Sequence, residues 1–99
     1  MTPTPMVLMV RFRSRLSFDE VMEVAEQRAP EFEAIAGLTQ KYYVEDVQTG
    51  EVAGCYIWES AEALADFQQS ELRATVGAAY QMEGEPRIEV YRIAKILRD

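Results

Sequence analysis

The sequence has no histidine and only one cysteine, Cys55, in 99 residues. Zinc, copper and haem sites draw on imidazole and thiolate, so almost no ligands for them exist here. An all-carboxylate magnesium site is formally open, but the acidic residues fall on outward helix faces, and no metal is expected. A lone cysteine forms no internal disulfide, and its place in an apolar run suits a reducing compartment. Without a histidine to draw off its proton, in surroundings that raise a thiol's pKa, Cys55 reads as a small core filler. Glycine-rich phosphate loops are also missing, which argues against a tightly bound nucleotide cofactor. Basic residues are scarce, ten Lys and Arg against seventeen Asp and Glu, for a net charge of −7. Nucleic-acid affinity requires clustered cations, so no nucleic-acid partner is expected, and anionic membrane surfaces are disfavoured by the same sign. No apolar run approaches the roughly 20 residues of a membrane span. The start, Met1 to Pro5, is polar with two prolines and unlike a signal peptide. The expected location is the cytoplasm.

What is present is apolar and periodic. Apolar residues make up 48% of the chain, and the length fits one domain spanning 1–99. A single core this small is marginally stable alone, which favours burial against a partner. Val7 to Arg13 alternates, with Leu8, Val10 and Phe12 on one face, and reads as a strand. Ser17-Phe18-Asp19-Glu20 has the form of a capping box. Phe18, Val21, Met22, Ala25, Ala29, Phe32 and Ala36 follow at helical spacing. Pro30 interrupts this run, so one kinked helix or two in register are expected, with Gly37 as the left-handed stop.

Leu38 to Val47 and Val52 to Glu59 read as a strand pair. A three-residue turn, Gln48-Thr49-Gly50, would place Tyr42 opposite Tyr56, Gln40 opposite Trp58 and Val44 opposite Gly54. A two-residue Thr49-Gly50 turn would instead set Tyr43 against Tyr56. Ser60 caps a second helix whose buried edge holds Leu64 and Phe67. Ser70 restarts a third, with Leu72, Val76, Ala79 and Tyr80 in phase. Gln81 to Pro86 reads as a loop, and Arg87 to Leu97 as the last strand.

Strand, helix, strand, strand, helix, strand is the split βαβ plan. It predicts an α+β, ferredoxin-like βαββαβ fold with a four-stranded antiparallel sheet. Helices then cover one face only, and the other should turn polar if it meets water. It keeps several of Val7, Met9, Tyr43, Cys55, Ile57, Tyr91 and Ile93, or their alternates. A patch of that size marks an interface, so a homodimer through the helix-free sheet face is predicted.

Candidate functional residues cluster on the hairpin. Tyr42, Tyr43, Tyr56 and Trp58 fit a half-buried pleat as plain packing. Tyrosine and tryptophan also carry polar atoms that want partners when buried, and Gly54 leaves space beside them for a ligand. A pocket between sheet and helices, lined by Tyr56 and Trp58 and closed by Phe67 or Leu72, stands beside plain core. Lys41 and Glu45 lie about 13 Å apart along one strand face and cannot meet there. Lys41 either pairs with a carboxylate across strands or subunits, or stabilises a substrate anion, as Tyr42 also could. Arg11 and Arg13 invite the same two readings. No residue stands out as a base.

The pattern Gly37-Leu38, Lys41, Tyr43, Glu45, Thr49-Gly50-Glu51, Gly54, Tyr56 and Trp58 resembles the dimeric α+β barrel superfamily. Within it the match is to the small mono-oxygenases of the YdhR type. The resemblance implies a homodimer with a pocket in each subunit, and oxygenation of electron-rich aromatic compounds without metal or flavin. Pockets of the superfamily often contain histidine, and this chain departs from that. The resulting expectation is a cofactor-independent mono-oxygenase acting on a small aromatic or polycyclic compound. The alternative is a non-catalytic homodimer that binds a small ligand or supports a pathway.

Overall fold

The computed structural model describes residues 3–98, so the first two residues of the proline-bearing start and residue 99 lie outside it. Seven elements follow in order: β1 (Met6–Ser14), α1 (Phe18–Glu33), β2 (Leu38–Glu45), β3 (Val52–Trp58), α2 (Ala61–Gln68), α3 (Glu71–Ala79) and β4 (Met82–Arg92). The strands form one antiparallel sheet in the order β2-β3-β1-β4. This is the predicted ferredoxin-like arrangement, with the second crossover split into two helices. Among the described residues no helix is long and apolar enough to cross a membrane.

Local sequence explains most element ends. The Ser17 hydroxyl accepts from the Glu20 amide while the Glu20 carboxylate accepts from the Ser17 amide, closing the capping box. Ser60 and Ser70 cap α2 and α3 in the simpler way, each accepting one amide three residues on. Pro30 sits inside α1, which continues as one helix to Glu33. It stops short of the apolar phase that ran to Ala36. Gly37 then turns with φ +85°, and a β-carbon there would collide with the Ala63 side chain. Glycine therefore serves two needs at that point, a left-handed turn and a close approach to α2.

Three expectations need correction. The β2–β3 register pairs Lys41 with Tyr56, Tyr42 with Cys55 and Tyr43 with Gly54, one residue away from the favoured pairing and two from the alternative. The loop is longer than either turn allowed, because Asp46 pairs back to Glu51 (amide to carbonyl, 2.8 Å). The Asp46 carboxylate accepts from the Gln48 and Thr49 amides, stabilising that four-residue reversal. A one-residue slip exchanges the two faces. Lys41 and Tyr43 therefore join the helix-covered face, and Tyr42 and Val44 the open one.

The last strand is also displaced. It begins at Met82 and takes in most of the expected loop, with a register shift that spans Gly84 and Pro86. As an edge strand, β4 tolerates both. It ends at Arg92 because β1 has no residue left to pair beyond Met6, apart from one bond from the Ile93 amide to the Pro5 carbonyl.

The core lies between helices and sheet. Leu8, Val10 and Phe12 from β1 and Val52, Tyr56 and Trp58 from β3 meet Val21, Ala25 and Phe32 of α1, Leu64 and Phe67 of α2, and Val76 with Tyr80 at the end of α3. The opposite face presents Val7, Met9, Tyr42, Val44, Cys55, Ile57 and Tyr91, crossed by the Arg11–Glu89 ion pair at 2.8 Å.

Candidate functional site

Lys41 is the unusual residue of the covered face. In an ordinary strand it would extend to water, but here its ammonium lies over three rings. Nζ is 3.6 Å from the Phe32 ring centre, 4.3 Å from that of Tyr56 and 4.4 Å from that of Tyr43. Ring faces attract a cation, by about 0.5–2 kcal/mol each according to solvation. Among the described residues no carboxylate lies within ion-pair distance of it, so the expected cross-strand acidic partner is absent within the subunit. Burial, reinforced by the positive charge of Arg28, pushes Lys41 down to about 7.

Two cavities meet at this side chain. An outer cleft of about 340 Å³ is lined by Ala29, Phe32 and Glu33 of α1 and by Leu38, Thr39, Gln40, Lys41 and Tyr43 of β2. That volume falls within the usual range for small-ligand sites. An inner void of about 10 Å³ lies among Val10, Phe12, Lys41, Tyr43, Gly54, Tyr56, Val76 and Tyr80. It has room for about one water molecule. Lys41 and Tyr43 line both and form the partition between them.

The phenols around Lys41 are held in their protonated form. Burial raises the hydroxyls of Tyr43, Tyr56 and Tyr80 above the ordinary phenol range. The buried Tyr80 hydroxyl has no hydrogen-bond partner among the described residues, and the nearby Tyr43 phenol influences its titration without completing a bond. Arg28 donates to the Thr75 hydroxyl, tying α1 to α3, while its own Nε is buried and unpartnered. Arg28 and Lys41 thus place two cations near three phenols.

The residues singled out from sequence are dispersed. Tyr56 and Trp58 stack nearly parallel, with ring centres 6.0 Å apart, and Phe67 packs against both at 5.1 and 5.2 Å. All three are buried, and Trp58 and Phe67 line neither the cleft nor the void. Tyr56 alone reaches the void, and its ring fills the space opened by Gly54, where a β-carbon would meet Cε1 of Tyr56 at 2.9 Å. Leu72 is half-buried against the core and lines neither cavity.

Tyr42 is 55% exposed on the helix-free face, away from Lys41. That is the direct consequence of the four-residue loop. Arg11 is paired with Glu89, and Arg13 donates to the Thr49 carbonyl. Cys55 is half-buried on the open face, where burial pushes its thiol up. Among the described residues no cluster of three or more metal-ligating side chains occurs. Phe32, Tyr43 and Tyr80 are the site residues that periodicity had assigned to packing or to the other face. Asp46, three residues before the Thr49-Gly50 pair, was the available sign of the true register.

Comparisons with known proteins agree with this fold. No curated protein matches the chain. Among solved structures it is similar to SnoaB, a cofactor-independent oxygenase from Streptomyces nogalater, with TM-score 0.76 and 11% identity over 97% of this chain and 99% of that one. It is similar to a putative antibiotic biosynthesis monooxygenase from Bordetella bronchiseptica, with TM-score 0.76 and 13% identity over 95% and 99%. A conserved protein from Methanosarcina mazei gives TM-score 0.73 and 12% identity over 90% and 92%. At such identities these likenesses show the fold alone. The family model described as "Putative mono-oxygenase ydhR" matches residues 7–94, nearly the whole chain, and the protein belongs to that family.

Proposed function

We propose that the protein is a cofactor-independent mono-oxygenase for a small aromatic or polycyclic compound, working as a homodimer. The observation that carries the reading is Lys41, an amine without an acidic partner, caged by rings at the inner wall of a ligand-sized cleft. Direct oxygenation begins with removal of a proton, since a phenolate or its carbanion form can pass an electron to dioxygen. Sequence analysis left that base unassigned. A lysine held at about 7 has its free lone pair in half the molecules at neutral pH.

The substrate ring lies in the cleft against Phe32 and Tyr43, and Lys41 accepts the phenolic proton. The resulting ammonium then faces the new anion in surroundings of low polarity, where a fixed charge stabilises it strongly. One oxygen atom becomes a carbonyl on the reacting ring carbon, and the other leaves as water with that carbon's hydrogen and the phenolic proton held on Lys41. The balance needs no external reductant. Tyr56 backs the cage, while Trp58 and Phe67 hold Tyr56 in place and Leu72 supports α3 behind them.

Membership of a mono-oxygenase family and similarity to a cofactor-independent oxygenase support the reaction class. The apolar open face supports the dimer. The test is an oxygen electrode with a panel of phenols and quinols. Uptake with the unaltered protein, reduced by about 10²–10⁴-fold in Lys41→Met, is expected. Absence of uptake across the panel, or full activity in Lys41→Met, overturns the reading.

A further inference from the structure

The same amine has a second chemical capacity, one that does not require oxygen. Lys41 lines the cleft, a space large enough for a substituted ring. Facing it are Arg28, Phe32 and Glu33 from α1, Tyr43 from its own strand, Tyr56 from β3 and Tyr80 from the end of α3. Among the described residues none of these gives it a carboxylate within 4 Å. A neighbouring cation, burial and no counter-ion are the conditions under which a lysine becomes a nucleophile toward carbonyl carbon. Burial that holds Lys41 at about 7 acts in the same direction.

We infer that Lys41 is a carbonyl-reactive amine that captures aromatic aldehydes or ketones in the cleft as a protonated imine. The nitrogen lone pair forms a bond to the carbonyl carbon while the carbonyl electron pair moves to oxygen and takes up a proton. The carbinolamine then loses that oxygen as water, leaving C=N in place of C=O. Burial keeps the Tyr43 hydroxyl protonated, and its ring stands 4.4 Å from Nζ. Of the two phenols whose rings flank Nζ, Tyr43 is the one that also lines the cleft, and it would supply the proton to the departing oxygen. The site would therefore accept carbonyl compounds as ligands or substrates in addition to phenols.

The chain has only two lysines, Lys41 and Lys95, and Lys95 lies exposed in the tail after β4. Each molecule thus carries its own comparator. The full-length protein is incubated with benzaldehyde and cyanoborohydride at pH 7 under nitrogen, and the modified peptides are mapped by mass spectrometry. Labelling at Lys41 at least roughly tenfold faster than at Lys95 is expected, because an ordinary lysine is almost wholly protonated at that pH. Phe32→Leu, which opens the cage to water, should shift the pH dependence of Lys41 labelling upward and erode the preference. Equal or faster labelling at Lys95, or none at Lys41, overturns the inference. The measurement excludes dioxygen, so its result stands apart from the oxygen-uptake test. Labelling without uptake would leave Lys41 as an amine of a non-oxidative site, and uptake without labelling would leave it as a base only.

Discussion

The two faces of the sheet are built from alternate residues of the same strands yet obey different rules. On β3, Trp58 points to the helices and is fully buried, while its neighbour Ile57 points the other way and is half-buried. On β2, Lys41 turns inward into an aromatic cage and Tyr42 turns outward to solvent. The covered face is closed by three helices, and every buried side chain there is apolar or aromatic. The open face is nearly as apolar but, among the described residues, carries one ion pair and no covering helix. The difference teaches that apolarity alone does not identify a finished core. What distinguishes the faces is where polar atoms are left without partners. Those of Arg28, Trp58 and Tyr80 all lie on the covered side.

The largest effect should come from Trp58→Ala. Its ring is fully buried, stacked on Tyr56 and packed against Phe67, so denaturant unfolding should show a loss of about 3–5 kcal/mol. A loss below ~1 kcal/mol would mean that the covered face is loosely packed after all.

Next is the adjacent position on the other side. If the open face is the dimer interface, Ile57→Asp buries an unpaired carboxylate at a cost of roughly several kcal/mol. Light scattering should then show monomers where the unaltered protein is dimeric. Were the face solvated in a stable monomer, the same change would move stability by only about 0.5 kcal/mol, and the dimer would be excluded.

A third test separates the faces by pH. Lys41 titrates near 7 when folded and near the ordinary lysine value of about 10.5 when unfolded. Between those values the unfolded chain binds the extra proton, so stability rises with pH across that window. Water in the cleft screens part of the effect, leaving a gain on the order of 2 kcal/mol. Above about 10 the sign reverses, because the raised phenols of Tyr43 and Tyr56 stay protonated in the fold while unfolded tyrosines ionise. Unfolding followed from pH 7 to 11 should therefore show a maximum near the tyrosine range. Lys41→Met should remove the rising limb and leave the fall. A flat profile in the unaltered protein would contradict the buried amine.

The smallest effect belongs to the open face. Glu89→Gln breaks the ion pair with Arg11, which water screens, so only a marginal change in unfolding is expected. A cost well above that, appearing together with weakened dimerisation, would show that the pair is covered in the assembled protein.

The element order, the three serine caps and the inward residues of β1 were all legible, because each depends on residues close in sequence. Ser17 and Glu20 specify a helix start wherever they occur, and Leu8, Val10 and Phe12 alternate whatever they pack against. The hairpin register was not legible in the same way. It turned on whether Val47 belonged to the strand or to the loop, and that one-residue choice decided which of Lys41 and Tyr42 entered the interior. The end of β4 was set by the length of a strand more than 75 residues away, which no local pattern in Arg87 to Leu97 discloses.

The sequence alone determined the fold class, through periodicity and capping, and it limited the chemistry by supplying no histidine and one cysteine. Only the tertiary structure decided where that chemistry could reside. Lys41 is an unremarkable strand lysine until Phe32 from α1, Tyr43 from its own strand and Tyr56 from β3 close around it. Desolvation is a property of everything that surrounds a group, and those surroundings come from segments far apart in the chain. A base or nucleophile made by burial therefore leaves no motif to read.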